Sequence, residues 1–161
     1  MPDLNKGRRL HSSAAFNSNT VYVFCGYDGK KSINSIERWG VGEDKWTTIE
    51  TNGDTLKEKY YHKSVQVDDK FILVFGGAGD KTSFKFFPGT NEVKKADDMS
   101  KNCYMSSTPE PFYDKHTKAI YVCDYELKDD IDIVYNIHKF DQDQKWSIAV
   151  EDIKKNPICF E

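Results

Sequence analysis

The sequence predicts an all-β fold made of three stacked units, and three observations predict it. Valine-rich runs recur and end in a small-residue pair or its replacement: VYVFCG at 21–26, FILVFGG at 71–77 and IYVCD at 120–124. The spacing is nearly constant, 51 positions from Gly26 to Gly77 and 47 from Gly77 to Asp124. No segment sustains a helical period; residues 54–59 and 151–155 support a helical turn at most. A period of this size marks one supersecondary element, which buries its apolar face only by stacking on its neighbours.

The units fall at about residues 8–50, 59–98 and 104–150, within one domain over 1–161. The first two share a tight register, because His11 stands 15 residues before Gly26 and His62 15 before Gly77. After the small pair comes an aromatic segment, then a polar turn, then a short last strand. Trp39 precedes Trp46 by 7, Phe86 precedes Val93 by 7 and Phe140 precedes Trp146 by 6. The intervening sequences VGEDK, PGTNE and QDQK are turn-forming. The runs alternate poorly and are bounded by Gly, Asp and Asn, as expected of short strands buried on both faces, four to a unit.

These residues resemble the kelch repeat, most closely in the first unit. There Arg8/Arg9, His11, Cys25–Gly26, YDG at 27–29, SINSIERW at 32–39 and Lys45–Trp46 all match. The second unit keeps Lys59, His62, Gly76, Gly77 and Phe86, with Val93 in the place of Trp. The third keeps Tyr121, Phe140 and Trp146, has Cys123–Asp124 in place of the double glycine, and its first strand is expected to be lengthened by FYDKHTK at 112–118. The resemblance implies a β-propeller, each unit a twisted four-stranded antiparallel blade around a central channel. Glycine at the second strand's end permits backbone that other residues avoid. Large rings fill the wedges between blades.

Four to eight blades close a propeller and this chain supplies three. It is expected to be half of a six-bladed ring. MPDLNKGRR reads as the connector that follows a preceding blade, and NPICFE at 156–161 as the start of a following strand. The end blades need covering by neighbouring blades of a longer protein, a second copy or another protein, since bare apolar faces and strand edges invite association.

The net charge of −3 is mild and the signs are interspersed, so no nucleic-acid partner is expected. The first twenty residues are polar and no apolar run has membrane-spanning length, so no membrane partner is expected either. Cys25, Cys103, Cys123 and Cys159 lack metal-ligand spacing and read as reduced, buried thiols, which places the chain in the cytoplasm. His11 and His62 are repeat-equivalent and read as structural. His116 and His138 read as solvated or hydrogen-bonded imidazoles. No catalytic motif is present, and GGAGDKT at 76–82 is the double glycine plus a loop rather than a phosphate-binding turn. No cofactor, metal site or catalytic residue is expected.

The loops remain: YDGKKS at 27–32, AGDKT at 78–82 and YELKDDID at 125–132, with Lys101/Asn102 between blades. The acidic run from Glu126 to Asp132 reads as solvated. The resemblance implies partner binding through such loops and the Arg-type positions. The candidate partner-binding residues are therefore Arg8, Arg9, Lys30, Lys31, Lys59, Asp80, Lys81 and Asp129. The expected function is a protein–protein interaction module, a scaffold or partner-recruiting surface rather than an enzyme. The alternative is an enzyme whose active site is completed by further blades.

Overall fold

The computed structural model describes residues 2–101, 110–128 and 132–153. Among these residues there is no helix, and thirteen strands form three sheets. The first sheet runs in chain order through β1 (Ser12–Phe16), β2 (Thr20–Tyr27), β3 (Ser32–Gly40) and β4 (Thr47–Ile49). A two-residue strand, β5 (Asn52–Gly53), follows. The second sheet contains β6 (Lys63–Val67), β7 (Phe71–Phe75), β8 (Ser83–Phe87) and β9 (Glu92–Lys95). The third contains β10 (Phe112–Asp114), β11 (Ala119–Lys128), β12 (Asp132–Phe140) and β13 (Trp146–Ile153).

Four strands per unit are present, with one addition. The connector between the first two units joins the second sheet, because β5 pairs in parallel with β9 and makes that sheet five-stranded. Asp54 anchors the connector: its N–H donates to Val93 O at 2.8 Å, and its Oδ2 accepts the Lys95 N–H at 2.7 Å. Neither expected helical turn is seen among the described residues, 154 and 155 lying outside them. Residues 54–59 are irregular, and 151–153 continue β13.

The sheets stack through two apolar layers. β7 is buried along its whole length because its two faces serve different neighbours. Ile72 and Val74 join Tyr22, Phe24, Ile36, Phe84, Phe86 and Val93 in the layer shared with the first sheet. Phe71, Leu73 and Phe75 join Ile120, Val122, Phe140 and Trp146 in the layer shared with the third. Each fully buried side chain of this size contributes about 1.5–3 kcal/mol, so these layers are the main stabilising feature. The ring positions of the repeat thus face the preceding sheet: Phe86 and Val93 meet the first sheet, and Phe140 and Trp146 meet the second.

By the same register Trp39 and Trp46 lie on the outer face of the first sheet, their ring centroids 6.3 Å apart. There residues 2–6 do the covering. Trp46 Nε1–H donates to Pro2 O at 3.0 Å, and Asn5 Nδ2–H donates to Trp46 O at 2.8 Å. The segment expected to act as a connector sits against β4 much as residues 52–54 sit against β9.

The small pairs do what the repeat requires in two units. Cys25 has φ 51°, Gly26 φ 108°, Gly76 φ 67° and Gly77 φ 137°. A Cβ on Gly26 would come within 2.9 Å of Arg9 O, so only glycine fits where the chain re-enters the sheet. The third unit differs. Cys123–Asp124 stay extended, and β11 runs on to Lys128 opposite β12 in one long hairpin. The expected lengthening of that unit's first strand is also corrected. β10 has three residues, and 115–118 form a turn. Asp114 holds this turn by accepting the His116 N–H at 2.9 Å and the Thr117 hydroxyl at 2.6 Å.

Candidate functional site at the loop end of the stack

The segments 7–10, 27–31, 57–61 and 76–82 converge on one end of the first two sheets. Backbone bonds tie them together. Arg9 and Tyr27 exchange both N–H···O bonds, at 2.9 and 2.8 Å, and Gly26 N–H donates to Lys59 O at 2.9 Å. Tyr61 N–H donates to Leu10 O, and Ala78 N–H to Tyr60 O, both at 3.0 Å. Leu10 and Tyr61 occupy the same repeat position and share the left-handed backbone, φ 58° and 57°, that turns each connector into its first strand.

Two candidate partner-binding cations lie inside this junction. Arg8 stands 17 residues before Cys25, and Lys59 17 before Gly76. Each spans the end of the second strand in its unit. Arg8 donates to Cys25 O at 2.8 Å, to Ser35 O at 3.0 Å and to Ser35 Oγ at 3.0 Å, and it ion-pairs with Glu37. Both side chains of that pair are buried, and Glu37 also accepts the N–H groups of Asn5 and Lys6 at 2.7 and 3.2 Å. Lys59 Nζ donates to Gly76 O at 3.0 Å, Thr82 O at 2.8 Å and Thr82 Oγ1 at 3.1 Å. It also lies 3.6 Å from Asp80 Oδ2 and over the Phe84 ring. Burial lowers its pKa, and the Asp80 carboxylate opposes that shift. The expectation that Arg8 and Lys59 face a partner is therefore corrected, because their donors hold strand ends together inside the chain.

Asp80 is also structural. It accepts the Thr82 N–H at 2.9 Å and its hydroxyl at 3.0 Å, and pairs with Lys57 at 3.2 Å. Arg9, Lys30, Lys31 and Lys81 are exposed. The Arg9 guanidinium lies over the Tyr27 ring, 5.3 Å from its centroid. Lys30 and Lys31 form a turn closed by Asp28 Oδ1, which accepts both N–H groups at 2.9 Å. Asp129 lies outside the described residues, as do Asn102, Cys103 and Cys159.

The loop end also holds residues that were not sequence candidates. Tyr27 and Tyr60 lie 6.1 Å apart and Tyr60 and Tyr61 5.5 Å apart, measured between ring centroids. Tyr61 could have been found by lining it up with Leu10. Glu37 could have been found too, since aligning Trp39, Phe86 and Phe140 puts it level with Phe84 and His138 on a buried face. In the third unit that position, His138, donates from Nε2 to Asp124 Oδ1 at 3.2 Å, where Asn136 Nδ2–H also donates at 3.0 Å. Among the described residues, no group of three His, Cys, Asp or Glu side chains could hold a metal ion.

A family model described as a kelch motif matches residues 8–53. The first unit is a kelch repeat. The other two sheets are consistent with blades of the same kind, and a kelch repeat points in general to a β-propeller protein-interaction module. No curated protein matches the chain.

His62, repeat-equivalent to His11, is buried at the junction. Burial, reinforced by the nearby Lys59 ammonium, pushes its imidazole down to about 3 from 6.5. Between those values the unfolded chain binds a proton that the folded chain refuses. Stability is therefore complete above about pH 6.5 and falls as the pH drops. We expect this group to remove about 2 kcal/mol between neutral pH and about pH 5. Urea unfolding of His62→Gln should show that much less acid sensitivity than the unsubstituted chain.

Proposed function

We propose that the chain is a scaffold or partner-recruiting module of a larger cytoplasmic assembly, and that its kelch blades present the loop end to a protein partner. The observation that carries this reading is the division of labour among the cations. Arg8 and Lys59 are spent inside the fold, while Arg9, Lys30, Lys31 and Lys81 stand on the surface of the same end, beside three tyrosine rings. Exposed aromatic and arginine side chains are the residue types that anchor partners. The buried, unpaired thiols of Cys25 and Cys123 accord with a reducing compartment.

A second surface supports assembly. Tyr121, Tyr135 and Ile137 are half-buried on the outer face of the third blade. The counterparts of Tyr121 and Ile137 in the first blade, Tyr22 and Ile36, are buried against the second. We propose that further blades, or a second copy completing a six-bladed ring, cover this face.

The recruiting role is tested by affinity purification followed by quantitative mass spectrometry. The bait is compared with a variant in which 27–32 and 78–82 are replaced by Gly/Ser loops of equal length. A set of proteins retained by the unsubstituted chain and lost with the variant is expected. An identical set with both baits would contradict the role of these loops.

A further inference from the structure

Lys85 on β8 turns towards the third sheet and stands where charge is poorly matched. Its Nζ lies over the Phe71 ring, 5.5 Å from the centroid, and donates to Gln144 Oε1 on the turn before β13. Directly across the strand pair stands Lys94, another cation, and like charges in register repel. Glu92 is taken up by Lys94, at 3.0 Å. Aligning Trp39 with Phe86 puts Arg38 level with Lys85 and Glu43 level with Thr90. In the first blade Arg38 has its carboxylate, Glu43 at 2.6 Å. In the second a neutral residue holds the acid's position, and Lys85 makes no ion pair among the described residues. Burial, reinforced by the Lys94 ammonium, holds its pKa below the ordinary lysine value.

The two groups that hold this amine also line a hollow. Phe71 and Gln144 border a space of about 130 Å³ between the second and third sheets, at their hairpin-turn end, with Val67, Ile120 and Phe140 as its apolar wall. Its carboxylates are engaged. Asp68 accepts the Tyr113 hydroxyl at 2.7 Å and lies 3.7 Å from Lys118, and Asp141 Oδ1 accepts the Lys145 N–H at 3.0 Å. Lys145 Nζ turns to Asp97 at 3.7 Å, and Lys70 is exposed. A half-buried amine with a cationic neighbour, no acid and an apolar hollow at its side has the surroundings that make a lysine nucleophilic.

We propose that Lys85 is a modification site for short acyl groups delivered as thioesters, with the acyl chain lying in the hollow against Phe71, Ile120 and Phe140. The neutral amine adds through its nitrogen lone pair to the acyl carbon. The C–S bond breaks, the thiolate leaves with the bonding pair, and the nitrogen gives one proton to solvent. An amide and a free thiol remain. Amide formation removes the charge that faces Lys94. The hollow suits a chain of a few carbons, since a space of about 150 Å³ holds a benzene-sized group. The site lies away from the loop end and is independent of the interaction-module reading.

The test incubates the full chain with the S-acetyl and S-butyryl thioesters of N-acetylcysteamine and follows acylation lysine by lysine with peptide mass spectrometry. At pH 7 Lys85 should react at least about threefold faster than the exposed Lys31 and Lys145, because more of its amine is uncharged. That lead should shrink as the pH is raised to about 11, where most lysines are neutral. Gln144→Glu sets a carboxylate beside the amine and should remove the lead, and Lys94→Gln should reduce it. Both positions are exposed, so these variants keep the fold. The butyryl donor should favour Lys85 over the comparison lysines more than the acetyl donor does. Equal rates at Lys85, Lys31 and Lys145 at pH 7 would overturn the proposal, as would a lead that neither substitution changes. Equal preference with the two donors would overturn the placing of the acyl chain in the hollow.

Discussion

Trp46→Ala lowers the free energy of unfolding by about 3–5 kcal/mol, the usual cost of truncating a large buried ring. Trp46 is 3% exposed although, among the described residues, no sheet lies on its side of the first sheet. Its burial comes from Trp39 and from residues 2–6, which it holds through its indole N–H on Pro2 O. The substitution therefore removes apolar contact and frees the covering segment together. Trp46→Phe keeps a smaller aromatic ring and loses the N–H, and should cost less than the alanine variant, about 1–3 kcal/mol. Urea titrations of both variants check this. A loss below about 1 kcal/mol for Trp46→Ala would mean that residues 2–6 do not close the outer face.

Arg8→Leu is expected to be as damaging, about 3–5 kcal/mol, because it strands the Glu37 carboxylate in a buried site. The informative comparison is the double substitution Arg8→Leu with Glu37→Leu. Replacing a buried ion pair by apolar groups is often neutral, so the pair should recover most of the loss. The second blade already carries an apolar residue there, with Phe84 at the position of Glu37 under the Lys59 ammonium. Equal losses in the single and double variants would show that the hydrogen bonds from Arg8 to Cys25 O and Ser35 O, not the ion pair, carry the effect.

The repeat was legible because its positions are fixed by local backbone and by size. Cys25–Gly26 and Gly76–Gly77 need left-handed backbone at a strand end, and the rings at 39, 86 and 140 need a wedge to fill. Each leaves a recognisable letter at a regular interval. The third blade was harder to read. Asp124 could have supplied a turn, but a hairpin with strong cross-strand pairing on both sides keeps it extended, and Asn136 and His138 take up its carboxylate.

The candidate site was misread in part for a different reason. An Arg or Lys between two blades looks like a rim charge in sequence. Only the fold brings Glu37, 29 residues away, to Arg8, and Thr82, 23 residues away, to Lys59. Such pairs depend on how strands from separate hairpins meet, and no local signal encodes them. Arg9, one residue on, points outward, as alternation along an extended segment requires.

The central proposal is that a kelch repeat and two sheets consistent with further blades form a stack whose outer face, on the third sheet, is covered by another blade or a second copy. It is tested most directly by sedimentation of the chain at low micromolar concentration, with a hydrophobic dye as a second readout. Residues 2–6 already cover the first blade, so association should occur through Tyr121, Tyr135 and Ile137 on the third. The account predicts concentration-dependent self-association, or strong dye binding by whatever stays monomeric. A monomer at every concentration that unfolds cooperatively and binds no dye would contradict it.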